Sequence, residues 1–90
     1  MEIKQIKYFV ETVRRGGMTQ ASEHLYIAQS TISKAIKSIE NEYDITLFDR
    51  SQKQIKLTDI GQTFYDNSLE FLALFEKLSL EMNDVMNVQK

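Results

Sequence analysis

The stretch TQASEHLYIAQSTISKAIKSIE, residues 19–40, decides the fold. Its apolar positions Ala21, Leu25, Ile27, Ile32 and Ala35 have a spacing that packs a short helix against a longer one. Thr19 carries the hydroxyl of an N-cap, so a short helix is predicted over Gln20–Tyr26, with Ala21 and Leu25 facing inward. Another helix is predicted to begin near Ala28–Ser30 and run to about Tyr43, burying Ile32, Ala35 or Ile36, and Ile39. Neither Gly nor Pro marks the break between the two. The pattern by itself therefore also admits one long helix from Thr19 to Tyr43.

Upstream, Ile3, Ile6, Phe9, Val10 and Val13 recur at three- and four-residue steps, which predicts an amphipathic helix over residues 2–15. Arg14 and Arg15 suit its C-terminus, and Gly16-Gly17 stops it. Downstream the period changes at Asp44. Ile45, Leu47 and Phe48 precede the polar run DRSQKQ (residues 49–54), and Ile55-Lys56-Leu57 follow, which predicts a small β-hairpin. Thr58 then offers a capping hydroxyl and Asp59 an acid for the first turn of a last helix, predicted to reach about Val88.

That helix is long for so small a chain. Phe64, Phe71, Leu78 and Val85 fall seven apart, with Ile60, Leu74 or Phe75, and Met82 between them. Its first turns can pack on the chain's own body. Beyond Phe71 the large apolar side chains have no partner within the chain, so a coiled-coil seam with a second helix is predicted. Two units are expected: residues 1–58 as one domain and residues 59–90 as a linker and dimerisation helix. The helix meets no C-cap glycine, an ending expected of a chain cut within a linker.

Ninety residues support one core but leave no room for a substrate cleft beside it. The chain has no cysteine, which excludes disulfides and thiolate metal sites. No run approaches the ~20 apolar residues of a membrane span, and Met1 leads into a charged amphipathic stretch rather than a signal peptide. A cytoplasmic protein without a membrane partner is expected. The net charge of −2 argues against a nucleic-acid partner until the chain is divided. Residues 1–57 hold nine Lys/Arg against seven Asp/Glu, whereas residues 58–90 hold two against six. The positive charge lies in the first part, as DNA binding would require.

Helix, short helix, turn, helix and hairpin in that order describe a mainly α winged helix-turn-helix: three helices, a two-stranded wing, then the long helix. The second helix braces the third, which can then enter a major groove wide enough for one helix. The third helix, about residues 29–43, presents Gln29, Ser30 and Thr31 at its N-terminus, and Ser33, Lys34, Lys37 and Ser38 continue that face. Gln can pair with adenine through two hydrogen bonds, Lys reaches guanine or phosphate, and hydroxyls bind either. Thr19, at the start of the second helix, belongs with these candidates, as do Arg50 and Lys53 of the wing, residues 49–56. Taken singly, Lys34 and Lys37 would be solvated helix surface, Lys53 and Lys56 edge-strand protection, and Arg50 the partner of Asp49 or Asp59. Their concentration on two neighbouring elements argues for DNA.

The residues 19–40 quoted above, followed by LFDR (47–50) and LTDIG (57–61), resemble the N-terminal region of LysR-type transcriptional regulators. The resemblance runs from about Ile3 to Gly61, and the combination of the three motifs at these separations is specific. It implies that Gln29, Ser33 and Lys34 face the major groove and that Arg50 and Lys53 reach backbone or minor groove. It implies a homodimer through the linker helix, favours antiparallel pairing, and admits a tetramer in the full-length protein; on that helix Phe64, Phe71, Phe75, Leu78 and Met82 lie along one side and are the expected seam. It also implies a C-terminal domain, absent here, that binds a small-molecule effector. Three positions depart from the pattern. Ser30 replaces a frequent proline, Ala28 replaces a capping serine so that Ser30 is left to cap, and Tyr26 stands where many helix-turn-helix proteins have glycine.

Sequence-specific binding of double-stranded DNA by a dimeric regulator is therefore expected. The alternative is a protein-interaction module acting through the acidic heptad helix, residues 59–88. An enzyme is not: His24 is the only histidine, no paired carboxylate or phosphate loop is evident, and no cofactor or metal is expected in this segment. Glu40, Glu42 and Asp44 gather at a helix C-terminus, where the dipole disfavours them, and read as a solvent face turned from DNA.

Overall fold

A computed structural model of the chain describes residues 1–51 and 53–88. Its elements are α1 (Ile3–Arg15), α2 (Met18–Leu25), α3 (Gln29–Tyr43), β1 (Phe48–Asp49), β2 (Lys56–Leu57) and α4 (Asp59–Val88). α1 ends where Gly16 turns left-handed at φ 83° and returns its N–H to the Thr12 and Val13 carbonyls. α2 starts earlier than predicted. The Ala21 N–H already reaches the Gly17 carbonyl at 3.0 Å, so Gly17 is the cap and Thr19 lies inside the first turn.

The break between α2 and α3 is made by Tyr26, which takes the left-handed conformation at φ 56°, ψ 42°. The N–H groups of Tyr26 and Ile27 both close on the Ser22 carbonyl, which ends α2 without glycine. The tyrosine side chain is 94% exposed, so the cost of the turn is backbone strain with no packing in return. α3 is capped by Ala28 with no side-chain hydrogen bond, and Ser30 sits within the helix instead of capping it. Thr31 donates to the Ala28 carbonyl at 3.0 Å in the first turn.

The core forms where α1, α3, the hairpin and the start of α4 meet. Phe9 is fully buried, with ring centroids of Phe48, Phe64 and Tyr65 at 5.4, 4.9 and 6.3 Å. Ile32, Ile36, Ile39 and Leu47 complete it, and Ala35 is buried as well as Ile36. The hairpin is short: Phe48 pairs with Leu57 and Asp49 with Lys56, antiparallel. Thr58 caps α4 by accepting the Gly61 N–H at 3.0 Å, and its hydroxyl donates to the Thr46 carbonyl. Gly61 is buried, and a β-carbon there would overlap the Leu47 carbonyl oxygen. The Leu-Thr-x-x-Gly run is thus a cap plus a close approach.

α4 begins in the core and leaves it. Phe64, Tyr65, Leu69 and Leu72 pack against the body, while Phe71, Leu74, Phe75, Leu78, Met82 and Val85 are exposed. At 1.5 Å per residue the helix is about 45 Å long, which accounts for overall extents of 55 × 26 × 20 Å.

Two substitutions test these local assignments. Phe9→Ala empties the site where three elements meet and should cost about 3–5 kcal/mol in denaturant unfolding. Tyr26→Gly should stabilise by about 0.5–1 kcal/mol, because glycine adopts the left-handed turn without a β-carbon clash. On that scale the melting temperature rises by a few degrees; an unchanged or lower value would mean that the strain in the turn does not exceed the entropy that glycine adds to the unfolded chain.

Candidate nucleic-acid interface

On α3 the buried residues Ile32, Ile36, Ile39 and Glu40 occupy one side of the helix. At about 100° per residue, Ser30, Lys34 and Lys37 share the opposite side, Ser33 stands at its edge beside Glu40, and Thr31 stands on the other flank, toward α1. Gln29, Ser30, Thr31, Lys34 and Lys37 are exposed and Ser33 is half-buried. The face extends further than the sequence reading took it. Asn41, one turn beyond Lys37, lines the same surface depression as Ser33, Lys34, Lys37 and Ser38. The i, i+4 step from Lys37 was the signal for it.

Thr19 and Gln29 are brought together across the turn. The Thr19 hydroxyl donates to Gln29 Oε1 at 3.1 Å, leaving the second lone pair of that oxygen and the Nε2 donors free. Thr19 thus orients the glutamine rather than capping α2. At the other flank of α3, Gln5 Nε2 donates to Ser38 Oγ at 3.3 Å and the Met1 amine pairs with Glu42 at 2.8 Å. That amine holds the Glu42 carboxyl below the usual range. These contacts pin α1 across α3.

Glu40 is not on a solvent face. It is buried at 7% exposure, and Oε2 accepts the Leu47 N–H at 2.7 Å. Its other oxygen lies 3.5 Å from Arg50 Nη1. Of the acids expected on a solvent face turned from DNA, Glu42 and Asp44 are exposed, but Glu42 lines the same depression as Lys34 and Lys37, and Glu40 is not on the surface. The reason is that the chain doubles back after Asp44, and the Leu47 amide, sealed in the core, needs an acceptor. Arg50 pairs with Glu40, not with Asp49 or Asp59, and its side chain stays 50% exposed with further donors free for another anion.

Asp49 orders the wing turn. Its Oδ1 accepts the Ser51 amide at 2.9 Å and the Ser51 hydroxyl at 2.6 Å. These two bonds, and then the charge of Lys56, hold its carboxyl below the usual range. Lys53 is exposed beyond this turn. Among the described residues Lys34, Lys37 and Lys53 enter no ion pair, so their charge is uncompensated. His24 accepts a hydrogen bond from Arg15 at 2.8 Å on the surface, beside Glu11.

Of the residues expected on a helix seam, Phe64 is committed to the core at 4.9 Å from Phe9. Phe71, Leu78 and Met82 are 45, 53 and 51% exposed. Phe75 is 42% exposed with Lys7 Nζ 5.9 Å from its ring centroid, whereas Leu74 is 65% exposed. The heptad pattern left Leu74 and Phe75 as alternatives; the structure leaves Leu74 the freer of the two. Among the described residues no group of three or more His, Cys, Asp and Glu is placed to hold a metal ion. No described helix is long and apolar enough to cross a membrane.

Residues 3–62 match the model of the bacterial regulatory helix-turn-helix proteins of the lysR family. The uncharacterized HTH-type transcriptional regulator YwbI of Bacillus subtilis is 43% identical over 90 residues, which is 100% of this chain and 30% of that protein. The HTH-type transcriptional regulator BenM of Acinetobacter baylyi is 30% identical over 90 residues, again 30% of its length. Three further curated relatives are covered over 26, 35 and 29% of their lengths, so the chain spans about a quarter to a third of the proteins it matches. The fold is similar to that of the BenM DNA-binding domain in its complex with catB site 1 DNA. The TM-score is 0.90 at 29% identity, with 94% of each chain covered. It is also similar to the CbnR DNA-binding domain in its DNA complex, with a TM-score of 0.86 at 27% identity, covering 94% of this chain and 98% of that one. With a matched region that spans the three helices, the wing and the start of α4, the chain belongs to the lysR family of bacterial regulatory helix-turn-helix proteins.

Proposed function

We propose that this chain binds double-stranded DNA in a sequence-specific manner as a dimer, within a cytoplasmic transcription regulator that performs no catalysis. The observation that carries the reading is the exposed polar and basic face of α3, with its lysines unpaired and Arg50 and Lys53 of the wing beside it. The likeness to DNA-binding domains seen in complexes with DNA supports it. α3 would enter the major groove, with Gln29, Ser30, Ser33, Lys34 and Lys37 toward base edges or phosphate and Asn41 at the far end. Thr31 would meet one strand at the flank, and Thr19 would orient Gln29. Arg50 and Lys53 would follow the backbone or a narrow minor groove. A purely protein-binding role for the acidic α4 leaves that basic face without a purpose.

Residues 1–58 would form the DNA-binding unit and residues 59–90 the linker and dimerisation helix, although the first turns of α4 share the core of the former. Phe71, Leu74, Leu78 and Met82 would form the seam, with Phe75 at its edge and Phe64 serving the chain's own core. An apolar stripe of this kind left in water is rare on soluble monomers. A two-fold pair of helices would cover it and place two copies of α3 along one face of DNA. In the longer regulator, a C-terminal domain would bind a small-molecule effector and assembly could extend to a tetramer.

Two measurements test these assignments. Lys53→Ala should weaken binding to all sequences alike and lower the salt slope by about one counterion unit, whereas Gln29→Ala should cost about 1–3 kcal/mol on the preferred site by relaxing one base position. Equal loss on specific and random DNA for Gln29→Ala would remove that residue from base reading. Sedimentation of the double variant Leu74→Glu, Leu78→Glu should show a folded monomer, since each leucine would bury surface worth about 1.5–3 kcal/mol in the dimer. A dimer that survives the double substitution would place the seam elsewhere.

A further inference from the structure

The peptide group of Leu47 is held from both sides. Its N–H donates to Glu40 Oε2 at 2.7 Å, so it is tied to α3. Its carbonyl accepts the Thr58 N–H at 3.0 Å, and the Thr58 hydroxyl, 3.3 Å from that carbonyl, donates chiefly to the adjoining Thr46 carbonyl, so this stretch of backbone is tied to the cap of α4. Gly61 then lets the first turn of α4 close on that same carbonyl, where any β-carbon would overlap. α3 and α4 are thus joined through one buried peptide, with no flexible segment between the two bonds.

We propose that Glu40 and Thr58, acting through the Leu47 peptide, are positioning residues that set which spacing of half-sites the dimer accepts. The proposal rests on the DNA-binding, dimeric reading given above. Its physical basis is leverage. Leu78 lies twenty residues beyond Thr58, about 30 Å along the helix at 1.5 Å per residue. A change of about 10° in the angle between α3 and α4 would therefore move the seam by about 5 Å, more than the ~3.4 Å rise of one base pair. Neither Glu40 nor Thr58 belongs to the proposed base-reading face, but Glu40 also holds Arg50 of the wing, so Thr58 is the residue whose effect on DNA would pass through geometry alone.

The test uses the 90-residue chain and the interrupted palindrome that the wild type selects from a random DNA pool. Affinity is then measured on that duplex, on duplexes with one or two base pairs added or removed between the half-sites, and on a single half-site. The wild type should lose about tenfold or more when one base pair is added, because the second half-site no longer engages. Thr58→Val, which removes the hydroxyl's bonds to the Thr46 and Leu47 carbonyls and to the Gly61 N–H, should flatten that loss to about threefold or less while changing half-site affinity by less than about twofold. Glu40→Ala, which also releases Arg50, should flatten the loss likewise while lowering half-site affinity. Thr58→Ser and Glu40→Gln, which keep an acceptor or donor at the Leu47 peptide, should restore the wild-type profile. If Glu40→Ala does not fold, Thr58→Val, which keeps the Thr58 N–H on the Leu47 carbonyl but frees the Thr46 carbonyl and the first turn of α4, decides the question.

Equal weakening at every spacing and on the half-site would reduce both residues to a structural role and overturn the proposal. Unchanged spacing discrimination in Thr58→Val would overturn it as well. A wild type that selects no duplex, or selects only single half-sites, overturns the DNA-binding dimer reading itself and the proposal with it, and is told apart because the wild-type arm alone shows it.

Discussion

A carboxylate at the end of α3 is buried, and a buried charge has to be satisfied by hydrogen bonds and an opposite charge. Glu40 meets that requirement with the Leu47 amide and the Arg50 guanidinium. Both partners lie on the segment that leads into and along the wing, so the need of one side chain fixes where the chain goes after α3. The carbonyl of the same peptide receives the cap of α4. Three elements that share little sequence signal are thereby set relative to one another, and Phe9 fills the space they enclose with Phe48, Phe64 and Tyr65 around it.

α4 carries two apolar faces that part company along its length. Phe64, Tyr65, Leu69 and Leu72 point to the body, and they are as much a part of the core as α1. Phe71, Leu74, Leu78 and Met82 point elsewhere, and the helix outruns the body before they can be covered. A boundary drawn at the start of α4 therefore cuts through a packed core, whereas the change in burial comes about three turns later. The matched family region, which ends at residue 62, stops inside that shared core.

The charge balance shows why a net value is a poor guide to partners. The chain is acidic as a whole, yet its Lys34, Lys37 and Lys53 are exposed and unpaired among the described residues. The acids that outnumber the bases lie chiefly along α4, and Glu40 and Glu42 are engaged with Arg50 and the N-terminal amine. A field of one sign can thus persist over α3 and the wing of a protein whose total charge has the other.

Most of the fold was legible in the sequence, because hydrophobic period and hydroxyl or glycine punctuation act locally. α1, α3 and α4 begin and end within a residue or so of their predicted limits, and Thr58 caps α4 as expected, whereas the close approach that requires Gly61 is seen only in the structure. The α2–α3 break was the exception, since it depends on Tyr26 adopting a conformation that its side chain disfavours and that only packing of Ala21, Leu25 and Ile27 against α3 can impose. The candidate DNA face was equally legible as a set of outward positions on a helix. What tertiary structure alone decided was which side chains find a partner within the molecule. Thr19 turned from a cap into a partner of Gln29, Glu40 from surface acid into a buried bracket, Arg50 into its counter-ion, and Phe64 into core. Each of these depends on a partner outside its own element, and no periodicity within one helix can announce a contact that exists only after another segment has folded back upon it.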